Sequence, residues 1–196
     1  FLKESGDTPG TRKTFIYNTF EKLMKAISKS LKKNDPNHLN LGIRYGYIEQ
    51  LDDELLRISK ESFDALSFNC YALSPDHEKM NHALEISGLP MIIGEYHFGT
   101  VDRGLAQSLW QVNSQKERGD AFRYYTENAI AHRGLIGTGW FRWIDQNING
   151  RTDGENYNCG FIDVTDRPYP YMVDAAIETA KSLYEIHSGT KTPFHQ

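Results

Sequence analysis

Cysteine is scarce, with two in 196 residues, Cys70 and Cys159. Their wide spacing gives no disulfide framework and no C-x-x-C site for zinc or thiol redox chemistry. No apolar run approaches the ~18–20 residues of a membrane span. A basic surplus is missing too, since 22 Lys and Arg stand against 26 Asp and Glu, a formal net charge of −4. A general binder of nucleic-acid backbones shows the opposite imbalance, so neither nucleic acid nor membrane is an expected partner. The chain opens on Phe1-Leu2-Lys3-Glu4, without Met and without the basic and apolar regions of a signal peptide. Residue 1 reads as a cut end rather than a natural start.

Several motifs of known chemistry are absent as well. There is no G-x-S-x-G and no G-x-x-x-x-G-K-[ST]. Gly137-Thr138-Gly139 lacks the third glycine and the strand-to-helix position of a dinucleotide fingerprint. His77 and His82 have a zinc-like interval but no accompanying cysteine pair, and Asp153-Gly154-Glu155-Asn156 reads as a turn rather than a calcium loop. No cofactor or metal is expected. What remains is a globular mixture, 39% hydrophobic and 24% charged, with aromatics at 12%. Several of the rings sit beside glycine and polar residues, which suits a ligand with both apolar and hydroxylated faces.

Periodicity divides the chain into one helix followed by four strand–helix units. Ile16, Phe20, Leu23, Ile27 and Leu31 mark the packed stripe of a helix over 12–33, its lysines forming the solvated face. Strands follow at 39–45, 64–71, 90–96 and 135–143. Between them lie helices around 53–62, from about 76 to 87, and from the Ser114/Glu117 capping pair to about 132. After a polar loop over 146–166, a last helix over 170–187 carries Val173, Ala176, Ile177, Ala180, Leu183 and Tyr184 on one face. Strands alternating with helices imply parallel βαβ units. Four strands make either half of a (β/α)₈ barrel, whose usual size is about 250 residues, or a complete open sheet with helices on both faces. Residues 1–196 read as one domain.

Alternation along each strand sorts its side chains. Leu39, Leu41 and Ile43 go to the helices, as do Leu66, Phe68 and Cys70. Met91, Ile93, Glu95 and His97 share one side of the third strand, and Ile136, Thr138, Trp140 and Arg142 one side of the fourth. Toward the C-terminal strand ends, where barrel enzymes place their chemistry, the inward set is Arg44, Asn69, Tyr71, Glu95, His97 and Trp140. A strand of a parallel sheet is normally apolar throughout, so a Glu closing Met91-Ile92-Ile93-Gly94 needs a reason. Either Glu95 is catalytic or it pairs with Arg44 or Arg142 at the rim.

The run Pro90-Met91-Ile92-Ile93-Gly94-Glu95-Tyr96-His97-Phe98-Gly99, with Asp102-Arg103-Gly104 after it, resembles the seventh-strand segment of clan A glycoside hydrolases of the agarase-like family 50. Gly139-Trp140-Phe141-Arg142-Trp143-Ile144-Asp145-Gln146 and the 150–158 segment are similar to the eighth strand and its loop. Ser67–Tyr71 resembles the sixth strand, and Asp35–Leu39 the approach to the fifth. The resemblance implies an α/β fold, the C-terminal half (strands 5 to 8) of a (β/α)₈ TIM barrel. It implies a retaining glycoside hydrolase acting on β-linked, galactose-containing polysaccharide such as agar, from a secreted or periplasmic source. It further implies Glu95 as nucleophile, Trp140 as a sugar platform and Tyr71 steadying Glu95, with Asn69, Arg44, His97, Asp145 and Glu155 lining the substrate site.

One departure matters: the clan's proton donor is a Glu following Asn at the end of the fourth strand, and this sequence contains no Asn-Glu pair. The acid/base then lies in an upstream barrel half absent from the chain. An isolated half leaves two strand edges unpaired, so a partner is expected, either the missing N-terminal half or a second chain. The other reading is a carbohydrate-binding or assembly module that kept the scaffold and lost catalysis.

Overall fold

Short polar side chains set most helix starts in the computed structural model, which describes residues 1–195. Helix α1 spans Leu2–Ser5 and α2 spans Pro9–Asn34, where the Thr8 hydroxyl accepts from Thr11 N–H at 3.2 Å. Strand β1 is Arg44–Tyr45, and a 3₁₀ turn at Ile48–Gln50 leads into α3, Asp53–Ser62. The Asp52 carboxylate caps α3 through Leu55 N–H at 3.1 Å. After β2, Leu66–Asn69, Asp76 caps α4, His77–Ser87, which Gly88 ends in the left-handed region at φ 67°. Strand β3, Met91–Tyr96, precedes α5, Gln115–Ile130, and Ser114 accepts from Glu117 N–H at 3.2 Å. Strand β4, Leu135–Trp140, and α6, Pro170–His187, complete the chain.

The four strands form one parallel sheet in the order β1-β2-β3-β4. Leu66, Phe68, Met91, Ile93 and Leu135 are all buried in a core shared with Leu56, Met80, Phe122, Tyr125 and Met172 from the helices. The neighbouring positions Ser67, Asn69, Ile92 and Gly94 are only partly covered. Parallel sheets are ordinarily buried on both faces; this one is buried on one. Cys70 and Cys159 are buried and free, and burial pushes the Cys159 thiol up to about 12.

Two expectations fail. The first strand is two residues long instead of seven, and Leu39, Leu41 and Ile43 are exposed rather than packed under helices. Only Arg44 and Tyr45 find register partners on β2, and nothing among the described residues pairs with the outer edge. Much of the expected packed stripe of α2 and part of that of α6 also point outward, while Phe20 and Ala176 pack on the core. On α2 the buried positions are Met24 and Ser28, with Phe20 packed on Tyr45 at 6.4 Å, while Ile16, Leu23, Ile27 and Leu31 are exposed. On α6, Met172, Ala175, Thr179, Ser182 and Ile186 are buried, and Ile177 and Tyr184 are not. Helix α2 packs beside α3, with the short α1 against its start, and α6 packs beside α5.

Candidate active site

Glu95 reaches the open face through a break in strand alternation. Met91 and Ile93 point to the helices, so simple alternation carries Glu95 into the core with them. Instead Phe68 pairs with Ile93 and the next residue, Asn69, pairs with Glu95, so Gly94 is an extra residue in β3. This bulge re-aims the side chain. Gly94 and Glu95 are both partly covered, and Tyr96 returns to the core. The third-strand grouping of Met91, Ile93 and Glu95 on one side is therefore corrected.

Three donors hold the Glu95 carboxylate. Oε2 accepts from Tyr71 OH at 2.7 Å and from Asn69 Nδ2 at 3.0 Å. Oε1 takes Arg44 Nη2 at 2.7 Å, with side-chain exposures of 50% for Arg44 and 17% for Glu95. Burial, reinforced by the neighbouring carboxylate, pushes the Tyr71 phenol above its usual range, so it remains a proton donor toward Glu95. Asn69 Oδ1 is buried without a partner. The Arg44 stem crosses Gly94: a Cβ there would sit 3.1 Å from Arg44 Cγ and nearer still to Cδ. The glycine makes room for the arginine.

His97 is close to this cluster but offers it no free nitrogen. Its Nδ1 lies 2.9 Å from the Phe141 carbonyl, and its Nε2 accepts from Leu109 N–H at 3.2 Å. That pattern fixes a neutral ring with the proton on Nδ1, and burial pushes its pKa down to about 4. The imidazole stands edge-on to Tyr71 at 4.9 Å, with Phe141 and Tyr157 each at 5.9 Å. It props Tyr71 and ties two loops to the strand ends.

Trp140 is not in the inward set. It pairs in register with Tyr96 and so shares the helix-facing side. Its ring is edge-on to Tyr96, Phe122 and Phe161 at 5.2, 5.6 and 5.7 Å, and its Nε1 donates to the Cys159 carbonyl at 2.7 Å. The same bulge that frees Glu95 shifts the β3–β4 register between Ile93 and Tyr96, which reverses the expectation for Trp140. Phe141, next along, is the ring that meets His97, and strand alternation read without the bulge misses it.

Asp145 is also structural in its surroundings. It is 3% exposed and accepts from Tyr169 OH and Gly160 N–H, each at 2.6 Å, and from Asn158 Nδ2 at 2.9 Å. Asn158 in turn accepts from the buried Arg118 at 2.9 Å, which anchors the loop over 141–169 to α5. Glu155 lies in that loop, accepting from Gln146 Nε2 at 2.7 Å and facing Arg151 at 3.3 Å. Arg44, Asn69, Tyr71 and Glu95 thus form one cluster, with His97 behind it. No contact joins Trp140, Asp145 or Glu155 to the Glu95 carboxylate among the described residues.

A carboxylate at the C-terminal end of a parallel strand, held by neutral and cationic donors on an open sheet face, makes this an α/β protein with a parallel sheet and a candidate active site at its strand ends. Comparison with known proteins agrees with that class. No protein-family model matches the chain. It is similar to β-agarase A of Vibrio sp. (strain JT0107), 36% identical over 165 residues that make up 81% of this chain and 16% of that protein. To β-agarase B of the same strain it is 34% identical over 172 residues, 84% of this chain and 17% of that protein. Among solved structures, an exo-β-agarase superposes with a TM-score of 0.83 at 33% identity, covering 91% of this chain and 24% of that one. The chain is agarase-like in sequence and in fold, and it spans only about a sixth of the length of these curated relatives.

Proposed function

We propose that the chain is the C-terminal half, strands 5 to 8, of the (β/α)₈ barrel of a retaining glycoside hydrolase. Its substrate is a β-linked, galactose-containing polysaccharide such as agar, as the names of its relatives suggest. The observation that carries this reading is Glu95 on the bulge-opened face with Tyr71, Asn69 and Arg44 all donating to it. A rim ion pair needs Arg44 alone. The two neutral donors add what a nucleophile requires, a fixed orientation of the carboxylate. Support for the half-barrel comes from the sheet buried on one face and from the uncovered stripes on α2 and α6.

In this mechanism Glu95 attacks the anomeric carbon while a second carboxyl, upstream of this chain, protonates the departing oxygen. A covalent glycosyl-enzyme forms, and water activated by that second carboxylate then releases the sugar. Tyr71, protonated throughout, and Asn69 hold Oε2, which leaves Oε1 beside Arg44 as the attacking oxygen. Arg44, half in solvent, can swing to a substrate hydroxyl as the bond forms. Phe141 takes the role of apolar sugar platform expected of Trp140. His97 and Asp145 support the site without touching substrate, and Glu155 stands at its loop rim.

The test uses the longer polypeptide that contains this segment. Glu95→Gly abolishes hydrolysis of agarose, and added azide restores turnover by giving a glycosyl azide of inverted configuration. Near-normal rates in Glu95→Ala return Glu95 to a rim ion pair. Wild-type product of inverted configuration replaces double displacement with a single one.

A further inference from the structure

The loops that follow β3 and β4 meet in a buried polar cluster centred on Asn158, which is 0% exposed. Its Oδ1 is met by Arg118 Nη1 at 2.9 Å, Gln115 Nε2 at 2.8 Å and Thr100 Oγ1 at 3.0 Å. Its Nδ2 donates to both oxygens of Asp145, at 3.0 and 2.9 Å, and lies 2.9 Å from Tyr169 OH. One amide thus accepts from α5 and from the loop after β3, and gives its own protons to the loop after β4. Arg118, equally buried, also donates to the Gly160 carbonyl and lies over the Tyr169 ring at 4.7 Å.

Stability alone does not account for this cluster. The amide bridges the buried cation and the buried anion, and Arg118 Nε is buried without a partner. Buried charges add little net stability over apolar residues of like volume, although removing one partner is costly. What such an arrangement specifies is position. The segment it holds, 157–160, runs against both halves of the site. The Tyr157 ring stands edge-on to His97 at 5.9 Å, and a Cβ on Gly99 would meet the Asn158 carbonyl at 2.6 Å. The Cys159 carbonyl accepts from Trp140 Nε1 at 2.7 Å. His97 and Phe141, joined by the 2.9 Å bond from Nδ1 to the carbonyl, follow directly on these contacts.

We infer that Asn158 is a positioning residue for the substrate site: by locking the loops after β3 and β4 to one another, it sets where Phe141 stands relative to Glu95. The inference rests on the proposed reading of Phe141 as the sugar platform. It concerns how the sugar is held and leaves the bond-breaking step to Glu95. Loss of the link therefore weakens binding of the ground state and the transition state together, which raises KM more than it lowers kcat.

Two variants of the longer polypeptide test it. Asn158→Asp replaces the donor toward Asp145 with a second carboxylate, and at pH 8 the pair is least able to close up by sharing a proton. Asn158→Asp/Asp145→Asn exchanges acid and amide, which keeps the charge of the cluster and an amide proton between the two positions. The single variant is expected to raise KM for agarose at least about tenfold with little change in kcat, and the exchange to bring KM back to within about threefold of wild type. Hydrogen exchange over 97–113 and 141–169 reads the link without activity: both loops are expected to exchange faster in the single variant and at the wild-type rate in the double. An unchanged KM in the single variant overturns the inference. So does a fall in kcat as large as that in kcat/KM, and so does a double variant no better than the single. If the single variant does not fold, the double decides: a folded protein with near-wild-type KM supports the inference, and an unfolded one or a raised KM overturns it. A wild type that hydrolyses no agarose defeats the glycosidase reading instead, and loops that exchange alike in all three proteins then overturn the link.

Discussion

At Gly94, the extra residue of the bulge that turns Glu95 to the open face, the absence of a side chain leaves room for the Arg44 stem. A methyl group there meets Arg44 Cγ and Ser67 Oγ at 3.1 and 3.3 Å. Gly94→Ala is therefore expected to displace Arg44 from Glu95, to cost about 1–3 kcal/mol of stability, and to lower kcat in the longer polypeptide. Urea denaturation and agarose hydrolysis measure the two effects. His97 makes a different prediction, through pH. Its pKa in the fold is about 4, well below its ordinary value of 6.5, because burial opposes its charge. The unfolded chain then binds more protons than the folded one between those two values. Stability is complete above about 6.5 and declines as pH falls toward 4, by roughly 3 kcal/mol from this group. Protonation also cancels the acceptor that Leu109 N–H uses. His97→Gln should flatten that part of the stability profile relative to wild type between pH 4 and 6.5, measured by denaturation at matched ionic strength. An unchanged slope would remove His97 from the acid response.

Among elements, β3 and β4 show where strand alternation can and cannot be read. Trp140 lies among Tyr96, Phe122 and Phe161, so Trp140→Ala is expected to destabilise the chain by about 3 kcal/mol. Phe141→Ala should cost less stability but raise KM for agarose in the longer polypeptide. The opposite pattern would restore Trp140 as the sugar platform. Helices α3 to α6 lie where the sequence puts them, because Asp52, Asp76, Gly88 and Ser114 at α3 to α5, and Pro170 at the start of α6, are local signals that act within a single turn. Arg44, Asn69, Tyr71 and Glu95 were also legible as a group, because each falls near the C-terminal end of its strand. That Met91, Ile93 and Trp140 face away from Glu95 was not legible, because a single inserted residue inverts alternation and no residue type announces it. The stripes of α2 and α6 were readable as apolar faces. What covers them was not, because nothing among the described residues packs on them.

As a whole molecule, the chain holds one carboxylate, Glu95, in the position proposed for a nucleophile, on the partly covered face of its sheet. Closure of two strand edges, whether by an upstream half or by a second copy, would seal the scaffold. It would not by itself supply a proton donor. A retaining site needs its second carboxyl about 5–5.5 Å from the first. Asp145 is spent on Tyr169, Gly160 and Asn158 beneath the 141–169 loop, and Glu155 is bonded to Gln146 at the rim. General acid catalysis typically contributes ~10²–10⁴-fold. The isolated chain should therefore release few or no reducing ends from agarose, galactan, mannan or glucan. Addition of the upstream segment as a separate polypeptide should restore release, because the uncovered edges and stripes are the surfaces on which it would fold back. Robust turnover by the isolated chain would place the second carboxyl within these residues, and the rate of Glu155→Gln would then show whether Glu155 is that group.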